Sequence, residues 1–402
     1  MEERNIDENI QSRAIATFGL ENMKKFSKLK VFIYGINGIS LEASKNLVLT
    51  GIKKLTIFDE KISRLEDLSW NFFLCKNDID IKRRDESVLL KLKELNNFCE
   101  VIIENDLQKG LEDSDIIVFT EIKNSEEIFK INDFCRNNKK GFLYASLLGL
   151  AGYIFSDFGN HYVLDENGEE KKKVFISSIN QNIEEKKIEF VVYKDENDGI
   201  DNEKYVIFKE IEGMEKLNNL EPIQIFKSSE YKYYINYEQK LDKYIKGGII
   251  EEVKIPKKME YRCYKNYMNN PNFLYELDGS KRNRNCLLHC FILSIQKFFD
   301  NYKKLPDIDD EKQAEEIVNF SKEFYFLFKE KENELFKKSK YFDNNFIKNL
   351  SLLSQTQLAT DSSFLGGILA QEILKFSGLY QPLNQILYYN NYITIENLNK
   401  KK

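Results

Sequence analysis

The chain has 402 residues, 42% of them hydrophobic and 31% charged, enough apolar material for two or three folded domains. Sixty basic residues face 65 acidic ones, and the net charge of −5 excludes the basic excess of a general nucleic-acid binder. The longest apolar stretch, SLLGLAGYIF at 146–155, is too short to span a bilayer and contains two glycines.

The opening MEERNIDEN is charged and lacks the apolar core of a secretory signal. Residues 8–27 read as a helix. KVFIYG (30–35) is an apolar run ending in glycine, as buried parallel strands do. SLEASKNLVLTG follows with helical spacing and stops at Gly51. KKLTIFDE (53–60) reads as a second strand, ESVLLKLKELNNF (86–98) as a helix and CEVIIEN as a third strand. DIIVFTE (115–121) and GFLYASLLG (141–149) are further strands around the helical EEIFKINDFCRNN. This alternation predicts a doubly wound α/β unit. Near residue 160 the pattern changes. KKKVFISSI, KKIEFVVYK, KYVIFKEI, PIQIFKS and YKYYINY predict a small all-β module, of barrel type, over 173–257. Helical spacing returns at 285–302, 310–330 and 343–355 and, with 261–280, predicts a bundle. SSFLGGILAQEILKFSG (362–378) reads as a helix and QILYYNNYITIE (385–396) as a strand. These last pieces can close the first α/β domain, which makes the middle modules insertions.

The first strand's turn reads Gly35-Ile36-Asn37-Gly38-Ile39-Ser40. A dinucleotide fingerprint, G-x-G-x-x-G, needs glycine where Asn37 and Ser40 stand: one for close approach of phosphate, one for helix–strand packing. The fold signal is intact and the ligand signal is eroded. Asp59, at the end of the second strand, reads either as a ribose-binding carboxylate or as a turn aspartate. An autonomous NAD-dependent oxidoreductase remains the alternative that Asp59 and the βαβ start allow. Cys286, His289 and Cys290 share a helix face, but three such positions without a further ligand read as core, and no metal site is expected. His161 reads as structural. The six cysteines form no dense framework and suit a reducing compartment.

The order of segments resembles the N-terminal half of the ubiquitin-activating enzymes. QSRAIATFG (11–19), the stretch from Val31 to Glu60, SRLEDLSWNFFL (63–74), KYIKGGIIEEVKIPKK (243–258) and SSFLGGILAQEILKFSG carry the resemblance. It implies a Rossmann-like, ThiF/MoeB-like adenylation domain over 1–172 and 357–402, interrupted by an all-β first catalytic-cysteine half-domain (173–257) and a four-helix bundle (258–356). It further implies an inactive repeat with no catalytic residue of its own. Ser69-Trp70-Asn71-Phe72 lacks the arginine of an active repeat, and Ile122-Lys123-Asn124-Ser125-Glu126 lacks the Asp and Arg that serve Mg²⁺ and nucleotide. ATP and Mg²⁺ would then sit on a partner active half, which also holds the thioester cysteine, while Arg13 reaches that nucleotide in trans. Ubiquitin is the implied substrate, in the cytoplasm or nucleus. A natural split subunit, a fragment, a relict, or a scaffold without any role in chemistry all fit this sequence.

Overall fold

The computed structural model describes residues 11–164, 171–193, 199–271, 275–276, 284–337 and 342–392. The opening MEERNIDEN, the basic KRNR run at 281–284 up to Asn283, and the strand-like residues 393–396 lie outside them. The chain forms two compact units, Met1–His161 with Met259–Lys402, and Tyr162–Lys258. Among the described residues no helix is long and apolar enough to cross a membrane.

The first unit begins with two helices rather than the single one expected over 8–27. These are α1 (Ser12–Phe18) and α2 (Leu20–Phe26), separated at Gly19. With φ +79° and ψ 152°, Gly19 leaves the helical region and takes a conformation that suits glycine best. β1 (Lys30–Tyr34) then leads into α3 (Gly38–Thr50), which ends on left-handed Gly51. β2 (Lys54–Phe58), a 3₁₀ turn at Leu65–Ser69, α4 (Arg84–Leu95), β3 (Glu100–Ile103), α5 (Leu107–Asp113), β4 (Ile116–Phe119), α6 (Ser125–Asn137), β5 (Gly141–Leu148) and β6 (Ala151–Asp157) follow. SLLGLAGYIF is thus the β5–β6 hairpin, with Gly149 at φ +66° in its turn.

β7 (Asn160–Val163) runs across the point where the chain passes from the first unit to the second. There β8 (Lys173–Asn182), β9 (Lys187–Val192), β10 (Lys204–Glu212), β11 (Ile223–Ser229), β12 (Lys232–Asn236) and β13 (Lys246–Val253) close a barrel in the order β10-β11-β12-β9-β8-β13. Closure removes the exposed edges that six short strands would otherwise present. Val174, Ile188, Phe190, Phe208, Ile225, Tyr233, Ile235 and Ile250 fill its interior.

After β14 (Lys257–Glu260) the chain rejoins the first unit. In the segment 261–280, the described residues form α7 (Tyr264–Asn269) and β15 (Tyr275–Glu276). The bundle consists of α8 (Asn285–Tyr302), α9 (Glu311–Glu330), α10 (Glu334–Lys337) and α11 (Asn344–Leu352). α12 (Ala359–Lys375) packs along α3, and β16 (Ile386–Asn390) returns to the sheet. The sheet order is β15-β16-β6-β5-β4-β1-β2-β3, with β1 to β5 parallel and β6 antiparallel to both its neighbours.

Strand alternation splits the core. Val31, Ile33, Leu55, Ile57 and Leu143 point to the face covered by Leu47 of α3 and Leu365 and Leu369 of α12. Phe32, Phe119, Phe142 and Tyr144 point to the other, where Leu288, Phe291 and Ile295 of α8 join them. Both faces are buried, so these strands read as unbroken apolar runs.

Candidate functional site

Strand order reverses between β4 and β1, the place where open α/β sheets bind ligands. Two loops meet there, Gly35–Asn37 after β1 and Thr120–Asn124 after β4. Gly35, at φ +89°, must be glycine, because a Cβ would overlap Glu121 Cγ. Four of the turn's amides donate to side-chain oxygens of the protein itself. Ile36 N donates to Asp59 Oδ2 (2.7 Å), Asn37 N to Ser40 Oγ (2.8 Å), Gly38 N to Gln357 Oε1 (3.1 Å) and Ser40 N to Asn37 Oδ1 (3.2 Å). Asn37 and Ser40, which stand at the missing glycines, therefore form a reciprocal cap on α3. A phosphate bound at such a helix start would need these same donors. Gly38 is closed from outside as well, since a Cβ there would overlap Ser362 Oγ of α12.

Hydrogen bonds made by Thr120 and Asn37 stitch the two loops together. Thr120 N donates to the Tyr34 carbonyl (3.0 Å), Thr120 Oγ1 to the Gly35 carbonyl (2.8 Å) and Asn37 Nδ2 to the Thr120 carbonyl (2.8 Å). Farther along, the bundle holds the same loop. Gln296 Nε2 donates to the Lys123 carbonyl (2.7 Å), and Asp300 accepts from Ser125 N (2.9 Å) and Ser125 Oγ (2.5 Å). Lys123 Nζ lies 4.5 Å from the centre of the Tyr34 ring, and that ring stacks between Phe58 and Phe119.

An ion cluster borders the turn. Glu121 pairs with Lys61 Nζ (2.8 Å) and with Arg84 Nη1 (3.6 Å). Arg84 donates Nε and Nη2 to the two oxygens of Asp67 (2.8 and 2.7 Å) and lies over Trp70. Asp59, 3% exposed, also accepts from Lys61 N (2.9 Å). Burial, and then the Glu121 charge, push its carboxyl up to about 7. Next to it, Asp85 accepts from Asp59 N and from Arg83 Nε and Nη2. Motif spacing points to none of Lys61, Asp67, Arg84, Thr120 and Glu121. The one signal for Arg84 is the basic pair in KRRDE (82–86), just before an acidic helix start.

Gly35, Asn37, Gly38, Ser40 and Asp59 thus come together, and Arg13 does not join them. Arg13 is exposed on α1, a helix that buries none of its residues. Among the described residues its guanidinium makes no ion pair, and only its carbonyl is used, by Thr17 Oγ1 (3.0 Å). Cys286, His289 and Cys290 are core residues. His289 has both ring nitrogens engaged, with Tyr388 OH (2.5 Å) and the Met268 carbonyl (2.9 Å), and burial lowers it to about 4. Burial raises Cys286 to about 11 and raises Cys290 further, so neither offers a thiolate. No group of metal-ligating side chains gathers among the described residues. His161 stacks on Phe376 at 5.6 Å and is lowered by burial. All six cysteines are free thiols.

A doubly wound sheet with a capped glycine turn, interrupted by a six-stranded barrel and a helical bundle, defines a Rossmann-like domain with insertions. The family model described as the ubiquitin-activating enzyme E1 FCCH domain matches residues 188–254, and that of the E1 four-helix bundle matches 255–325. Ubiquitin-activating enzyme E1 1 of Candida albicans is 31% identical over 390 residues, 96% of this chain and 37% of that protein. Ubiquitin-like modifier-activating enzyme 6 of Mus musculus is 32% identical over 404 residues, 98% of this chain and 37% of that protein. Over nearly its whole length the chain is similar to ubiquitin-activating enzymes, and two of their family-model domains fall within it. It spans a little over a third of the length of the curated relatives it matches. Among solved structures, E. coli MccB is similar with a TM-score of 0.33 and 20% identity, over 36% of this chain and 46% of that one.

Proposed function

We propose that this chain is the non-catalytic adenylation repeat of a ubiquitin-activating enzyme. In this reading it supports ATP-dependent activation of ubiquitin on an active half that holds ATP, Mg²⁺ and the thioester cysteine. The observation that carries it is the internal use of the turn's donors: Ile36, Asn37, Gly38 and Ser40 amides all end on side chains of the same chain. A nucleotide would have to break these bonds and part the Thr120 stitches before gaining any of its own. Exposed Leu65, Leu68, Leu358 and Phe364 lie on the 3₁₀ segment and the α12 end that meet at the turn, with Phe72 shortly after the 3₁₀ segment, and such an apolar surface supports docking of a second domain. Arg13, exposed and without an acidic partner among the described residues, suits delivery to polyphosphate on that partner, where a cation stabilises the departing pyrophosphate.

Two measurements test the reading. Calorimetric titration of the purified chain with ATP and with NAD should give no binding heat; saturable binding of either overturns it. Mixed with an active half, the chain should support ATP–pyrophosphate exchange, and Arg13→Ala should depress it. Normal exchange with Arg13→Ala would leave a scaffold without a role in chemistry.

A further inference from the structure

We propose that Glu121 is a built-in pseudo-ligand: its carboxylate occupies a cationic site, formed by Lys61 and Arg84 beside the glycine turn, that would otherwise take an inorganic polyphosphate. This rests on the reading that the turn holds no nucleotide, and it assigns a cause for that beyond the capped amides. Glu121 directly follows Thr120, the residue stitched to both Tyr34 and Gly35, and its Cγ lies over Gly35. Lys61 meets one carboxylate oxygen and Arg84 the other. Arg84 is fixed by two bonds to Asp67 and by the Trp70 ring, and this leaves Nη1 directed at Glu121. The guanidinium is therefore pre-oriented toward an anion at that point.

The main chain that carries Glu121 is held on both sides, by Thr120 and by the bonds from Gln296 and Asp300 of α8 to Lys123 and Ser125, while Lys61 and Arg84 hold the carboxylate itself. The charge balance adds to the block. Asp67 and Glu121 together already match Lys61 and Arg84, and Asp59 adds a further acidic group, so no positive charge is left over to draw a polyphosphate. Neutralising Glu121 removes the occupant and one negative charge, so that Lys61 and Arg84 face only Asp67 and Asp59.

The test uses the full chain and inorganic triphosphate, titrated calorimetrically at low salt and neutral pH. Wild type should bind weakly or not at all, and Glu121→Gln should bind at least about tenfold more tightly, as expected for charge-assisted bonds regained by an anion. Glu121→Asp should behave as wild type, and adding Arg84→Gln to Glu121→Gln should abolish the gain. A folded Glu121→Gln chain that binds no better than wild type overturns the proposal, and so does a gain that survives loss of Arg84. Should Glu121→Gln fail to fold, Glu121→Ala carries the same test. ATP binding by wild type would sink the non-catalytic reading; a triphosphate-blind Glu121→Gln chain beside a nucleotide-blind wild type sinks only the pseudo-ligand.

Discussion

The side-chain amide of Asn37 donates to the main-chain carbonyl of Thr120 at 2.8 Å, joining the loop after β1 to the loop after β4 across the reversal of the sheet. The same side chain caps α3 through Ser40 N. Asn37→Ala removes both bonds and leaves the Thr120 carbonyl without that partner. The expected loss is about 2 to 3 kcal/mol, the sum of a helix cap and one buried hydrogen bond. Urea denaturation with an unchanged m-value would record it. Asn37→Gly should lose less, because glycine is tolerated at an N-cap, and still bind no ATP, because Glu121 and the Asp59–Ile36 bond stay in place. ATP binding by the Asn37→Gly chain would show that the asparagine alone had closed the site.

Arg13 gives the opposite pattern. It is exposed, and its guanidinium makes no ion pair among the described residues. Arg13→Ala should leave the unfolding midpoint within the scatter of surface substitutions, about 0.5 kcal/mol. In the reconstituted pair, exchange should fall by about a hundredfold or more, as loss of a cation aimed at developing charge does. Arg13→Lys should recover only part of it, since an ammonium is a point charge and not a planar fork.

Two neighbouring glycines of α12 separate packing from propensity. A Cβ on Gly366 would come within 2.6 Å of Glu42 Cβ and 2.7 Å of the Ile39 carbonyl, whereas one on Gly367 meets nothing within 4 Å. Gly366→Ala should therefore force α12 off α3 and cost about 1 to 3 kcal/mol. Gly367→Ala should be neutral or stabilise by up to about 1 kcal/mol through helix propensity. Thermal unfolding of the two variants checks the order; equal effects would mean that α3 and α12 are not packed this closely.

The strands were legible because a parallel strand covered on both faces is a bare apolar run, and KVFIY, KLTIF and IIVF are such runs. The barrel was legible in part from alternation, as in Lys173–Asn182, where buried and exposed positions take turns along the first half of the strand. Gly19 was harder: helical spacing continues on both sides of it, and only its backbone conformation shows the break. α5 offers seven residues with a glycine inside, too short for periodicity to declare itself. The turn's erosion was visible in Asn37 and Ser40, but their mutual capping was not, since it depends on which way two short polar side chains point. The ion cluster was invisible for a different reason. Lys61 and Arg84 stand at the two ends of the long segment between β2 and α4, and Glu121 follows β4, so no local pattern couples them.

Acid titration should expose two buried groups acting in opposite directions. Asp59 is raised from 3.8 to about 7, so the folded chain holds a proton that the unfolded chain has released. Its contribution is full below about pH 4 and is lost as the pH rises through 7, about 4 kcal/mol in all. His289 is lowered from 6.5 to about 4, so here the unfolded chain binds the proton first. Its contribution is full above about pH 6.5 and is lost as the pH falls toward 4, about 3 kcal/mol. Between these two limits the slopes oppose each other, and stability of the wild type should change little on their account. Asp59→Asn keeps the bond to Ile36 N in shape but removes the titration, so its stability should climb with pH across that window, relative to wild type. His289→Gln should do the reverse and lose relative stability over the same window. Chemical denaturation at closely spaced pH values resolves the divergence, and parallel curves for wild type and Asp59→Asn would mean that Asp59 ionises in the folded chain as freely as in the unfolded one.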